Sequence, residues 1–382
     1  MRAYYISRAG GALAVAALIA GAVFSIDRAR ADHQFRLHSP AAVARAVEME
    51  PDNTEYLTFR ALQLDYDGAD ATSLLERAAK LNPLSSAPRI RLGLNAELRG
   101  ANVQAEKWLL EAARIDRQYE PRWTLVNFYF RRENRDAFWQ WMRAALEISY
   151  GDRRPAFDLC WRESGDADEV LSRAIPDRLE VAAAYLEWLI ETHRMQAVAP
   201  VAMKLTADPV FHPLLLGAED ALLGSGEAAP AIALWRALGL PGPEGIYRGN
   251  FAKPAVGHGF DWRWTEISGV THLEIDQPRR MHRISLSGRQ PESCELLRQF
   301  VSLRQGARYQ LSWDAETRLE SPTGLAWTIG DAHGSVANGR GSVEFTAPSD
   351  LESLKLIYQR PSGEARAEGD VEVWDVALRA AK

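Results

Sequence analysis

Four consecutive residues in the last third of the chain combine the two kinds of side chain that bind sugars: Asp261, Trp262, Arg263 and Trp264. An indole ring can stack on the apolar face of a sugar ring, and planar polar groups can hydrogen-bond to its hydroxyls. On a regular strand the two tryptophans would point to one face and Asp261 and Arg263 to the other. These residues are our candidate glycan-binding site, and core packing of at least one indole is the alternative.

The remaining acids and histidines form no recognisable catalytic pattern. Asp65, Asp67 and Asp70 lie between two predicted helices, where solvated acids are common turn residues. Histidines such as His258 and His272 do not have the spacing of a metal site and read as isolated. The sequence contains no nucleophile elbow, phosphate loop or dinucleotide fingerprint. We therefore expect no enzyme activity and no cofactor, although a polysaccharide hydrolase or lyase with two carboxylates across a cleft remains an alternative.

The composition is that of a folded globular protein. The chain has 382 residues, of which 47% are apolar and 25% charged, so wholesale disorder and a multi-span membrane protein are excluded. The 45 basic and 51 acidic residues give a net charge of −6, which argues against a nucleic acid partner. Two cysteines, Cys160 and Cys294, are too few for a disulfide scaffold.

The first 31 residues resemble a targeting segment. Arg2 and Arg8 precede an uncharged apolar run from residue 9 to residue 26. That run is at the short limit of what spans a bilayer and is longer than the apolar region of an ordinary signal peptide. We predict a single signal anchor in the inner membrane with a periplasmic body, and cleavage after Ala31 is the alternative.

A helical repeat follows over residues 32–150. Ala46, Ala78, Ala112 and Ala145 recur at intervals of 32, 34 and 33 residues. The apolar residues between them recur at helical spacing, so each unit should consist of two amphipathic helices. One pair cannot bury its apolar stripe alone, and stacking of successive pairs would cover it. The sequence therefore predicts an α-solenoid.

This pattern resembles tetratricopeptide repeats over residues 40–150, although Phe138 stands where a small residue is expected. The resemblance implies that the first helices of the pairs form a groove for a protein partner. Burial of the aromatic candidates between repeats is the alternative. The groove candidates, chosen at helical spacing, are Tyr56, Arg60, Arg91, Asn95, Trp123, Asn127 and Phe130.

The pattern changes towards the carboxyl terminus. Residues 151–240 are helical without the repeat phase, and residues 241–247 are rich in Pro and Gly, as in a linker. From residue 248 to residue 382, apolar residues alternate with polar ones in short segments, for example at 309–313 and 325–329. Many short strands at this spacing predict an antiparallel β-sandwich of jelly-roll type.

The order of these segments resembles carbohydrate-binding modules with a galactose-binding-like jelly roll. The resemblance is carried by residues 249–251, 260–262, 303–309 and 369–376. It implies a polysaccharide partner and a possible structural calcium. The calcium candidates are Asn250, Asp375 and Glu372, because calcium prefers hard oxygen ligands.

These observations predict a multidomain protein in which a signal anchor, a helical solenoid and a β-sandwich follow one another. The whole chain resembles bacterial repeat proteins associated with exopolysaccharide. We expect a non-catalytic, membrane-tethered scaffold that binds a protein through its repeats during assembly or export of cell-envelope glycans. A glycan-binding protein that acts through the jelly roll is the first alternative.

Overall fold

In a computed structural model the chain forms helices followed by antiparallel sheets, as predicted. The structure describes residues 2–242, 245–252, 255–319 and 324–381, with side chains from residue 14 onward. Within this part the α-helices are α1 Arg2–Arg36, α2 Pro40–Met49, α3 Thr54–Tyr66, α4 Thr72–Leu81, α5 Ala87–Leu98, α6 Asn102–Ile115, α7 Tyr119–Arg131, α8 Arg135–Ile148, α9 Arg154–Glu163, α10 Ala167–Arg173, α11 Leu179–Glu191, α12 Val198–Leu205, α13 His212–Gly224 and α14 Ala228–Ala237. The strands are β1 Val270–Ile275, β2 Met281–Ser287, β3 Ser293–Ser302, β4 Arg308–Leu319, β5 Leu325–Ile329, β6 Ala332–Ser335, β7 Gly339–Thr346, β8 Leu351–Gln359 and β9 Glu368–Ala380.

The chain divides into two compact units. The N-terminal unit contains residues 1–165 and 172–176, and the C-terminal unit contains residues 166–171 and 177–382. Helices α11 to α14 therefore belong to the same unit as both sheets. The linker predicted at 241–247 lies within this unit, and residues 243 and 244 of it are outside the described part. The domain boundaries given by the sequence stay predictions.

The helices of the N-terminal unit pack as successive pairs, among them α3 with α4, α5 with α6 and α7 with α8. All four repeat alanines are buried in these contacts. Where α5 meets α6, a Cβ atom on Gly93 would lie 2.6 Å from the side chain of Leu109. Small residues at these positions let two helix backbones approach each other. Because each repeat needs such a position, small residues recur once per repeat in the sequence.

Side-chain caps fix where individual helices begin. The Asn53 side chain accepts hydrogen bonds from the backbone N–H groups of Glu55 and Tyr56 at the start of α3. Asn134 does the same for Ala137 in α8. Such caps satisfy N–H groups that have no partner inside the helix. The first helices α3, α5 and α7 carry the predicted groove, and of these three only α3 begins at a side-chain cap.

The prediction of an inner-membrane anchor is wrong. Among the residues that the structure describes, no helix combines the length and the apolar character needed to cross a bilayer. The predicted run starts among residues whose side chains are outside the described part. At its other end, α1 continues to Arg36 and packs Ala31 and Phe35 against Val43, Ala46 and Tyr56 of the first repeat.

Two antiparallel sheets pack around one core in the C-terminal unit. The strand order is β1-β2-β9-β4-β7 in one sheet and β3-β8-β5-β6 in the other. Residues from both sheets share the core, in which Trp313 and Trp327 are fully buried. Two glycines make room for the first of these rings, because Cβ atoms on Gly334 and Gly341 would lie 2.5 and 2.4 Å from it. The alternation seen in the sequence thus reflects burial of every second side chain.

Candidate functional site

The loop between α14 and β1 contains the four predicted sugar-binding residues. The first of them, Asp261, holds this loop together through hydrogen bonds. Both carboxylate oxygens of Asp261 accept hydrogen bonds from Arg248 at 2.8 Å. One of them also accepts the backbone N–H groups of Val256 and Gly257. Arg248 makes a second ion pair with Glu274 at 2.9 Å. Asp261 is fully buried, so the structure places it beneath the surface.

The two tryptophans of this loop have different environments. Trp262 is buried in the sandwich core, where its ring stacks on Phe251 with centroids 5.4 Å apart and its Nε1–H donates to the carbonyl of Arg248. Trp264 is 42% exposed and stacks on His272, with centroids 5.4 Å apart and an interplanar angle of 20°. Trp264 therefore offers aromatic surface to a ligand.

Trp264 lies beside a cavity of about 330 Å³ that we call the Trp264 cleft. A second cavity of about 570 Å³ lies on the side of His272 and is also lined by Trp264. Cavities of this size are within the range of small-ligand sites. The side chains lining the Trp264 cleft include those of Asp220, His258, Arg263, Trp264, Thr265, Glu295 and Arg298, which can form polar or stacking contacts.

A carboxylate from α13 organises one wall of the cleft. Asp220 Oδ2 lies 2.7 Å from Nδ1 of His258, and Asp220 Oδ1 accepts from Nη1 of Arg263 and from the backbone N–H of Gly259, both at 2.8 Å. The expectation that His258 is isolated is therefore wrong. Asp220 and His258 are separated by 38 residues, and tertiary packing alone brings them together.

The opposite wall comes from β3. The backbones of Arg263 and Arg298 exchange hydrogen bonds at 2.8 and 2.7 Å. Their guanidinium groups both lie near the ring of Phe300, at 5.1 and 5.9 Å from its centroid. Glu295 pairs with Arg298 at 3.4 Å and with Lys355 at 3.0 Å. The burial of Arg263 lowers the pKa of its guanidinium.

A second acid of α13 lies behind the cleft. Glu219 is fully buried, and neither of its carboxylate oxygens has a hydrogen-bond partner. Burial raises its pKa to about 8, and the negative charge of Asp220 adds to this effect while Arg263 opposes it. Glu219 is therefore largely protonated at neutral pH.

Two histidines of β1 and β2 also form a pair that the sequence did not suggest. His272 Nδ1 lies 3.0 Å from His282 Nε2, and the remaining nitrogen of each ring is buried without a partner. Burial lowers the pKa of His272 to about 4 and that of His282 to about 3. Both rings are therefore neutral at pH 7, and His272 supports Trp264 as an uncharged surface.

The predicted groove residues of the N-terminal unit are dispersed over different environments. Tyr56 is buried and stacks on Phe35. Three others donate hydrogen bonds within the N-terminal unit. Arg60 donates to the carbonyl of Pro40, Asn95 to the Asp65 side chain and Asn127 to the carbonyl of Trp123. Trp123 stacks on Tyr119, Phe130 contacts Phe138 and the guanidinium of Arg162, and Arg91 is exposed. Their role in binding stays a prediction.

The first helices carry two exposed apolar residues that the sequence reasoning missed. Tyr66 is 93% exposed and Leu98 is 86% exposed. Each is the last residue of its helix, α3 and α5 respectively. The repeat period could have identified this pair, because Tyr66 and Leu98 are 32 positions apart, which is the length of one repeat.

The calcium candidates Asn250 and Asp375 line one cavity, which Glu372 does not line, and the calcium site stays a prediction. Glu372 accepts two hydrogen bonds from Arg283 on the neighbouring strand, and Asn250 accepts one from the backbone of Ala252. In the described part of the chain, no group of three or more acidic, His or Cys side chains is placed to hold a metal ion. Cys160 and Cys294 are free thiols.

Comparisons with known proteins give only weak structural similarities. Neither a protein-family profile nor a curated protein matches the sequence. YrrB, a TPR protein with an unusual peptide-binding site, covers 52% of this chain and 92% of its own, with 11% identity and a TM-score of 0.28. The Cut9-Hcn1 assembly of the APC/C covers 52% of this chain and 35% of its own, with 13% identity and a TM-score of 0.28.

A third similarity concerns a glycan-active protein. The CBM22-1-GH10 modules of xylanase 10B from Clostridium thermocellum, solved with xylohexaose, cover 32% of this chain and 26% of their own. Their identity to this chain is 11% and the TM-score is 0.21. Similarities this weak establish no function.

Proposed function

We propose that this protein is a non-catalytic scaffold that binds a protein partner on the face formed by α3 and α5. The observation that carries the proposal is the pair Tyr66 and Leu98, two largely exposed apolar side chains at equivalent ends of successive first helices. A single exposed apolar residue is ordinary on a protein surface. Two at equivalent repeat positions form a row, and such rows are the extended surfaces with which helical repeats bind proteins.

Polar contacts between neighbouring first helices hold this face in place. Asn95 donates to Asp65 at 2.8 Å, which joins α5 to α3 near the ends of both helices. Arg131 donates two hydrogen bonds to Glu97 at 2.9 and 2.7 Å, which joins α7 to α5. Because the helices are already fixed, a partner would meet a surface that needs little ordering on binding.

The test begins with a photo-crosslinking amino acid at position 98 of the full chain, followed by mass spectrometry of the captured protein. The affinity of that purified protein is then measured for the wild type, the double variant Tyr66→Ser and Leu98→Ser, and the control Val103→Ser. Val103 is equally exposed but lies on the second helix α6. Loss of two apolar anchors should weaken binding by about 10-fold or more, and the control should bind like the wild type. Equal binding by the double variant would refute the proposed face.

A saccharide ligand for the C-terminal unit is our second candidate function. It is favoured by Trp264, whose half-exposed ring is held flat against His272 at the edge of a cleft with charged walls. Stacking on an indole with polar groups at the ring edge is the usual chemistry of sugar binding. The two antiparallel sheets are compatible with the jelly-roll resemblance of the sequence. A protein that joins a protein partner to a glycan would serve assembly of an exopolysaccharide.

We assign no catalysis to the cleft. A glycosidase needs one protonated and one free carboxylate across the sugar. Asp220 is bonded to Arg263 and His258, and Glu295 is paired with Arg298 and Lys355. Both carboxyl groups are thus already engaged in contacts within the protein, and the buried Glu219 does not line the cleft.

The saccharide function is tested by binding of polysaccharides to the full chain by affinity electrophoresis. Trp264→Ala should abolish retardation by any polysaccharide that binds, because it removes the stacking surface. Leu273→Ala is the matched control, since Leu273 is exposed on β1 but does not line the cleft. Retardation that survives in Trp264→Ala would place the ligand elsewhere.

A further inference from the structure

We propose that the Trp264 cleft is selective for acidic saccharides, with the sugar ring on Trp264 and the sugar carboxylate bound by Arg298. This inference rests on the saccharide function proposed above and adds the chemical class of the sugar. It follows from three properties of the cleft: its local charge, the donors that remain unused, and the geometry of the guanidinium group.

Two carboxylates, Asp220 and Glu295, and two guanidinium groups, Arg263 and Arg298, line the cleft. Asp220 is held by Arg263, by the His258 ring and by a backbone N–H. Glu295 pairs with Lys355 at 3.0 Å, closer than its 3.4 Å contact with Arg298. Arg298 is therefore the guanidinium of the cleft that the protein's own carboxylates engage least.

Arg298 has the unused donors. Its Nε atom is buried and donates no hydrogen bond, and the pair with Glu295 at 3.4 Å does not meet hydrogen-bond geometry. The Arg298 side chain is 38% exposed and lines the cleft. A ligand cannot reach the buried Nε, but the terminal amino groups of Arg298 make no hydrogen bond within the described part of the chain and can donate to a ligand oxygen.

The shape of the group favours a carboxylate. A guanidinium is planar and presents parallel N–H donors that match the two oxygens of a carboxylate. Arg298 packs beside Phe300 and its backbone is paired with that of Arg263, so its position is set by the sandwich. His258 adds a further polar group, because its Nδ1 is held by Asp220 and the ring is about half-exposed in the cleft. A neutral sugar would use the Trp264 face but leave the Arg298 donors unmatched.

The test compares two oligosaccharides of the same length and linkage, one built of glucuronic acid and one of glucose, by isothermal titration calorimetry on the full chain. The wild type should bind the acidic oligosaccharide about 10-fold more tightly, as expected for a hydrogen-bonded charged group. Arg298→Gln should remove that preference, so that the two sugars bind with equal affinity, and Arg298→Lys should retain part of it. Trp264→Ala should weaken binding of both sugars.

Arg308→Gln is the control, because Arg308 is exposed and pairs with Glu344 on the neighbouring strand, away from the residues that line the cleft. The thermal unfolding midpoint of each variant shows whether it folds. Equal affinity of the wild type for both sugars would overturn the acidic selectivity while leaving the saccharide function intact. Binding of neither sugar would overturn the saccharide function and this inference together. Selectivity that persists in both Arg298 variants would place the carboxylate on another residue.

Discussion

The burial of Glu219 makes a sharp prediction about how stability depends on pH. This acid lies in α13 with both oxygens unpartnered. A Cβ atom on Gly259 would lie 2.9 Å from its Cγ and 2.5 Å from the ring of Trp235, which shows how little space the pocket leaves for water. Burial raises the pKa of Glu219 from 4.5 to about 8. We expect Glu219→Gln to stabilise the C-terminal unit in a pH-dependent way.

The magnitude follows from proton linkage. Between pH 4.5 and 8 the folded protein holds the Glu219 proton while the unfolded chain has lost it, so the folded state binds more protons. The stability contributed by the neutral acid is complete below pH 4.5 and is lost as the pH rises towards 8. At 1.36 kcal/mol per pH unit, the loss between pH 5 and pH 8 is at most about 4 kcal/mol. Gln cannot ionise, so Glu219→Gln removes this loss.

The assay measures the free energy of unfolding of the wild type and of Glu219→Gln by urea titration at pH 5, 6.5 and 8. Hydrogen exchange of the α13 amides at each pH reports on the same unit. The difference between the two proteins should rise steadily with pH, by up to about 4 kcal/mol. Glu187→Gln is the matched control, because Glu187 is exposed on α11, and its difference from the wild type should be flat.

One result would refute this reasoning. If the difference between Glu219→Gln and the wild type is the same at pH 5 and at pH 8, the carboxyl group is ionised in the folded protein. It would then have a partner or a water contact that the packing around Gly259 and Trp235 does not provide.

Two further predictions concern packing and a buried ion pair. Gly341→Ala should lower the free energy of unfolding by about 1–3 kcal/mol, because its Cβ would lie 2.4 Å from the Trp313 ring. Gly217→Ala, on an open helix surface, should instead raise the free energy of unfolding by up to about 1 kcal/mol. Thermal unfolding measures both variants, and equal midpoints would contradict the steric argument. Arg248→Met should cost about 3–5 kcal/mol, because it leaves the buried Asp261 carboxylate without its cation. Urea unfolding of this variant measures the cost, and a loss below about 1 kcal/mol would show that the backbone N–H donors suffice.

The sequence by itself determined the succession of architectures. The repeat alanines from Ala46 to Ala145 are buried at helix contacts. Trp313 and Trp327, which belong to segments of alternating apolar and polar residues, lie in the sandwich core. Both patterns are local, because buried positions recur every three to four residues in a helix and every second residue in a strand. The apolar residues of the sequence therefore show the same spacing. At the N-terminus a local pattern gives the wrong prediction, because the apolar run of residues 9–26 indicates a membrane span whereas α1 continues into the packing around Phe35.

Only the tertiary structure decided which side chains meet. Asp220 of α13 reaches His258, and Arg298 of β3 completes the same cleft, yet no spacing in the sequence connects these residues. His272 and His282 meet because β1 and β2 pair in one register. Of the four consecutive residues that suggested a sugar site, burial removed two from the surface and left Trp264 exposed. The physical reason is that a site is made of contacts between distant segments, whereas periodicity records only the environment of each segment.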